Sequence, residues 1–343
     1  MKKLALLIHF VLLGVFMIAC EESGEEEVTT YTNPILEPVI ADPTIIKAED
    51  GYFYVYATED FFDYETGVRY VAVHRSKDLI TWEDMGDAFT EKPTWKGNGF
   101  IWAPDIQYFN GQYYMYYSLS VWGDPNPGIG VATSDTPYGP FTDHGKLFDS
   151  NDIGVGNSID PFVYTTDEGE KWMFWGSFQG IYAIELSEDG LSTVGEKIHI
   201  AGNAFEATYI INKDGYYYIF LSTGSCCNGA SSTYQVKVGR STSLLGPYVD
   251  RLGRNLKNSD GSLVLGNGET YVGNGHNTMI QDDNSDYWLI YHGINKHDPY
   301  LPNGATKRPL MMDKIIWDSQ GWPQVRNFMP SENAQEAPIL KED

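Results

Sequence analysis

One unit recurs along the chain and limits what it can fold into. It joins an acidic or polar residue, a short apolar strand, a turn with Gly or Asp, and an aromatic strand. The first copy is Asp42-Pro43-Thr44-Ile45-Ile46, then Asp50-Gly51, then Tyr52 to Ala57. The second is Asp105-Ile106-Gln107-Tyr108, Asn110-Gly111 and Tyr113 to Tyr117. The third is Asp160-Pro161-Phe162-Val163-Tyr164, Glu168-Gly169 and Trp172 to Trp175. The fourth is Glu206-Ala207-Thr208-Tyr209-Ile210, Asp214-Gly215 and Tyr216 to Leu221. The fifth is His276-Asn277-Thr278-Met279-Ile280, Ser285-Asp286 and Tyr287 to Tyr291. Asn-Gly and Asp-Gly suit tight hairpins because both turn residues there take positive φ. A Ser-led segment follows four of the hairpins, at Ser76 to Trp82, Ser134 to Phe141, Ser187 to Val194 and Ser241 to Tyr248, and reads as an outer element. Each copy is therefore three or four antiparallel strands, and long amphipathic helices are absent. Five such sheets around an axis form an all-β, five-bladed β-propeller. A β-sandwich with coincidental hairpins is the competing architecture. A WD40-type ring lacks its recurring Gly-His…Trp-Asp signature.

Propeller geometry turns the repeat into a statement about chemistry. The first strand of each blade lines the channel, so Asp42, Asp105, Asp160, Glu206 and His276 are expected to converge at one mouth. Gathering like charges out of water is costly unless they do something. Carboxylates with separated pKa values suit acid–base catalysis. The overall charge excludes a different class: 23 Lys+Arg against 47 Asp+Glu leaves −24, which repels phosphate backbones and argues against nucleic acid. Aromatic residues make up 14% of the chain, and most belong to the repeated strands. Trp102 and Trp122 remain as candidates for stacking on sugar, with burial inside a blade as the alternative for either.

The N-terminus is a separate element. Met1-Lys2-Lys3 precedes the apolar run Leu4 to Ala19, which is short for a membrane span and fits a signal core. Its end, Met17-Ile18-Ala19-Cys20, resembles a bacterial lipoprotein signal, with Met where Leu is usual. That resemblance implies acylation of Cys20, an acidic tether over 20–32, a catalytic domain over 33–343, and lipid anchoring at the outer membrane or surface of a Gram-negative bacterium. An ordinary secretory signal is the alternative. Cys226 and Cys227 are adjacent; no disulfide framework or metal-type Cys spacing is expected, and the redox state of the pair stays open.

The chain also resembles glycoside hydrolase family 43. The matching segments are Ala41-Asp42-Pro43, Trp102-Ala103-Pro104-Asp105-Ile106, Ser158-Ile159-Asp160-Pro161, Phe205-Glu206-Ala207, Gly275-His276-Asn277, Lys307-Arg308-Pro309-Leu310 and Ile316 to Pro323. Ser225-Cys226-Cys227-Asn228-Gly229 with Ser232-Thr233-Tyr234 is most similar to the α-1,5-L-arabinanases of that family. The resemblance implies an inverting, endo-acting enzyme on arabinan or arabino-oligosaccharides, active as a monomer. Asp42 matches the general base, Glu206 the general acid, and Asp160 the residue that raises the acid's pKa. Inversion implies that Asp42 and Glu206 stand about 6.5–9.5 Å apart. Asp105 is expected to bind sugar or hold the Trp102 loop. Arg308 is expected to clamp a substrate hydroxyl or a catalytic carboxylate, with a surface ion pair as its alternative. His276 matches an axial histidine beside a hydrated Ca2+, although calcium prefers oxygen ligands. Exo-acting α-L-arabinofuranosidase or β-xylosidase activity is the first rival, and a non-catalytic glycan-binding lipoprotein the second.

Overall fold

A computed structural model describes residues 29–341. The signal segment, Cys20 and the tether up to residue 28 lie outside the described residues. The five repeats form four four-stranded sheets and one three-stranded sheet, all antiparallel. Blade I is Thr44–Lys47, Phe53–Tyr56, Ala72–Ser76 and Glu83–Asp87. Blade II is Phe100–Phe109, Gln112–Ser120, Gly128–Ser134 and Thr142–Asp149. Blade III is Phe162–Thr165, Lys171–Trp175, Ile181–Leu186 and Thr193–Ala201. Blade IV is Glu206–Lys213, Tyr216–Thr223, Gln235–Ser241 and Ser262–Leu265. Blade V is Tyr271–Gln281, Tyr287–Asn295 and Leu310–Lys314. The Ser-led segments are the turns from third to fourth strand, not strands themselves. Their hydroxyls accept backbone N–H groups, as Ser76 does from Leu79 and Ser241 from Ser243, which is how Ser competes for turn positions.

The ring closes through the N-terminal segment. Ile35 N–H donates to Leu310 O and Leu310 N–H to Leu36 O, so this segment takes the outer position of blade V. The Asn33 side chain bonds both the N–H and the carbonyl of Met312. Thr30–Tyr31 pairs with Gln335–Glu336. The folded body therefore begins before residue 33, where the tether was expected to end.

The core lies between blades rather than within them. Tyr54, Tyr56 and Val73 of blade I pack on Ile101, Met115 and Tyr117 of blade II. Tyr116 and Val131 of blade II meet Met173 and Trp175 of blade III. Equivalent clusters join III to IV, IV to V, and V to I. Each fully buried side chain contributes about 1.5–3 kcal/mol, and no sheet could bury both faces alone. The aromatic richness of the strands is thus mainly interface packing.

One backbone feature sets the channel mouth. Asp42, Ala103, Asp160, Ala207 and His276, one per blade, all have positive φ, at +52°, +43°, +58°, +56° and +49°. Left-handed backbone is unfavourable for such residues and needs support from its surroundings. For four of the five the preceding blade supplies it. Ala103 N–H donates to Thr58 Oγ1, Asp160 N–H to Ser118 Oγ, His276 N–H to Ser222 Oγ and Asp42 N–H to His292 Nδ1. This corrects the expected register: the blade II counterpart of Asp42 is Ala103, and Asp105 lies two residues further down the strand. Glu206 stands one residue before the kink of its blade. The prolines mark the true register, since Pro43, Pro104 and Pro161 each follow the kinked residue.

Candidate active site

Asp42 enters the mouth from blade I, and its carboxylate is fixed on several sides. Thr58 Oγ1 donates to Oδ2 at 2.6 Å, and Arg308 Nη1 lies 3.1 Å from both oxygens. His276 Nδ1 and His292 Nδ1 stand 3.4 and 3.3 Å from Oδ1. Burial pushes the carboxyl up, but Arg308, the two histidines and Thr58 outweigh it and hold Asp42 well below the usual carboxylate range. Arg308 is thus a buried clamp on a carboxylate, one of its two expected roles, and not a surface ion pair.

Asp160 and Glu206 behave in the opposite way. Asp160 is pushed up by burial, then by repulsion from Glu206 and Asp42, with the Ala207 N–H opposing. Glu206 is pushed up to about 6 by burial, against hydrogen bonds from Ser177 and Tyr234. Ser177 Oγ donates to Glu206 Oε2 and Tyr234 Oη to Oε1, both at 2.6 Å. The site therefore pairs one carboxylate held ionised with two that resist losing protons. Such a split lets one group take a proton while another supplies one. His276 and His292 are both pushed down by burial, His292 to about 3. Neutral His292 accepts the Asp42 N–H at Nδ1, which assigns its proton to Nε2.

Asp105 does not join this cluster. It lines a cavity of about 320 Å³ with Thr44, Gln107, Phe162 and Tyr209. Its Oδ2 accepts from Val163 N–H and from Gln107 Nε2, and burial raises its pKa to about 7. The structure makes it part of the channel wall, holding blade III to blade II, and does not bring it to the mouth. Trp102 is half-buried and Trp122 is 84% exposed, their rings edge-to-face at 6.5 Å. Further exposed rings occur in the other connections on this face: Phe178 in blade III, Tyr64 after the second strand of blade I, and Tyr300 in blade V.

Sequence reasoning missed Thr58, Ser177, Tyr234 and His292. Tyr234 lay within the segment that carried the arabinanase resemblance, whereas no motif or spacing in the sequence marks His292. The rest of that segment connects the second and third strands of blade IV, and in it Cys226 and Cys227 form a vicinal disulfide. Calcium at His276 meets a poor donor set. Among the described residues no three His, Cys, Asp or Glu side chains are grouped to chelate an ion. His276 would be a single nitrogen ligand for a cation that seeks six to eight oxygens. A calcium here would take nearly all its ligands from water, as expected of a hydrated ion, and the carboxyl chemistry does not call on it.

A propeller whose mouth holds an ionised Asp beside two proton-retaining carboxyls, rimmed by exposed rings, has the equipment of a carbohydrate hydrolase. The chain belongs to glycosyl hydrolases family 43, whose family model matches residues 31–323. It is 35% identical over 284 residues to an extracellular exo-α-(1→5)-L-arabinofuranosidase of Cellvibrio japonicus, covering 74% of this chain and 80% of that protein. It is 32% identical over 298 residues to an extracellular endo-α-(1→5)-L-arabinanase of Bacillus subtilis, covering 83% and 87%. The solved structure of Cellvibrio cellulosa α-L-arabinanase complexed with arabinohexaose superposes with a TM-score of 0.73 at 30% identity, covering 85% of this chain and 96% of that one.

Proposed function

We propose that this chain is an inverting endo-α-1,5-L-arabinanase. Asp42 accepts a proton from a water, which attacks the anomeric carbon. The bond to the leaving oxygen breaks as Glu206 delivers its proton there. Asp160 and Glu206 are buried together and disfavour each other's second ionisation, so the pair does not readily lose both protons. Configuration inverts because the displacement is single. The opposite ionisation of Asp42 and Glu206 carries this reading.

Exposed rings on two sides of the carboxylates support endo action. Trp122 and Phe178 stand on blades II and III, while Tyr64 and Tyr300 stand on blades I and V. Rings on both sides can hold sugars on both sides of the scissile bond. The exo alternative draws on the Cellvibrio japonicus relative. The product profile on linear arabinan separates the two: endo action releases a ladder of oligosaccharides first, and arabinose alone from the earliest sample refutes it. We also propose that the enzyme works as a monomer anchored through acylated Cys20. Loss of membrane association in Cys20→Ala tests the anchor.

A further inference from the structure

We propose that Tyr234 and His292 form one stacked positioning unit that ties the general acid Glu206 to the general base Asp42, and that residue 275 is glycine so that this stack can exist. This inference rests on the acid and base roles proposed above.

The unit is built from three blade segments. Tyr234 immediately precedes the third strand of blade IV, and its hydroxyl donates to Glu206 Oε1 at 2.6 Å. Its ring lies on the His292 imidazole with centroids 5.8 Å apart and planes within 13°. His292, on the second strand of blade V, accepts the Asp42 N–H at 3.1 Å. One aromatic stack thus touches the acid through a hydroxyl and the base through its backbone. Both members are buried, His292 completely and Tyr234 at 1% exposure. Neither can swing into solvent, so the stack acts as a spacer of fixed thickness. Catalysis of this kind depends on such spacing, because the acid and the water-activating base must reach opposite faces of one carbon.

Gly275 forms the floor beneath the ring. A Cβ there would lie 2.2 Å from Tyr234 Cδ1, 2.6 Å from Cε1 and 2.9 Å from Cγ. Its φ lies outside the left-handed region, so alanine meets no backbone strain at this position. A methyl group there acts on the ring alone. The loop before Tyr234 is closed on itself, since Thr233 and Tyr234 N–H both donate to Ser225 O. The displaced ring therefore has little freedom to restore its bond to Glu206.

The test observes the Glu206 carboxyl directly by 13C NMR titration, with its signal identified by its disappearance in Glu206→Gln. Asp42, Asp160 and Arg308 also face this carboxyl and are left intact. A hydroxyl that donates to a carboxylate favours its ionised form. Tyr234→Phe keeps the ring and removes only that donor, so the Glu206 midpoint is expected to rise by about one pH unit. The basic limb of kcat/KM on arabinan should rise with it. Gly275→Ala should produce the same rise together with a fall in kcat, and the double variant should rise no further than either single one. A folded Tyr234→Phe or Gly275→Ala protein with an unmoved midpoint overturns the proposal. A wild-type protein that cleaves no arabinan while the midpoint shifts as expected overturns the acid role of Glu206, and with it the positioning claim, but leaves the contact itself standing.

Discussion

Replacing Arg308 by Met is the perturbation with the clearest electrostatic consequence. Arg308 Nη1 lies 3.1 Å from both Asp42 oxygens, and Nη2 lies 3.6 Å from Asp60. Asp42 and Arg308 are both buried, so solvent screens their attraction poorly. Unit charges about 4 Å apart attract by about 4 kcal/mol at an effective dielectric near 20. That corresponds to about three pKa units. Without the guanidinium, and with both imidazoles neutral, burial is opposed mainly by the Thr58 hydroxyl, and the Asp42 carboxyl rises into or above the ordinary range. A general base works only when ionised, so the acid limb of kcat/KM should move up by about two to three pH units. In wild type that limb lies below the ordinary carboxylate range. Arg308 also lowers the Glu206 pKa, so the basic limb should rise too and the whole profile shift toward alkali. The assay is reducing-end release from linear arabinan, from the lowest pH at which each variant stays folded up to pH 8, well below each variant's melting temperature. That last condition matters, because removing one partner of a buried pair costs about 3–5 kcal/mol. Arg308→Lys should fall between the two, since it keeps the charge and loses the fork. If folded Arg308→Met shows the wild-type acid limb, Asp42 is not held ionised by Arg308 and the assignment of the base fails.

The wild-type enzyme should lose kcat/KM as pH rises through about 6, where Glu206 gives up its proton, and a rate that holds level to pH 8 would contradict Glu206 as the acid. Glu206→Gln should lower kcat on arabinan by about 10²–10⁴-fold and spare aryl arabinofuranosides whose leaving group needs no proton, so equal losses on both substrates would refute acid catalysis. Trp122→Ala should raise KM on arabinan and leave kcat on a short aryl glycoside unchanged, as checked by initial rates on both.

Much of the fold was legible because the repeat carries its own punctuation. Asn110-Gly111 and Asp214-Gly215 mark two-residue hairpin turns in which both residues take positive φ, while in the longer Asp50-Gly51 connection only the glycine does. Asp42, Asp160 and Glu206 could be found because the repeat places one residue per blade at the axis. Asp105 was misplaced because charge, not proline, was used to set the blade II register. Pro104 would have pointed to Ala103, which is the residue the backbone kinks at. The closure by Asn33 to Leu36 and the stack of Tyr234 on His292 had no sequence signal of this kind. Both join residues far apart in the chain, and neither spacing nor periodicity encodes such contacts. Nor could the aromatic count distinguish Trp175, wholly buried between blades, from Trp122, which faces solvent.

The central claim is a single displacement with Asp42 as base and Glu206 as acid. Proton NMR of the first minutes of arabinan hydrolysis, before mutarotation, tests it most directly. The account predicts that the newly formed reducing ends appear first as the β-anomer. New ends appearing first as the α-anomer would mean retention through a covalent intermediate, and would contradict the mechanism.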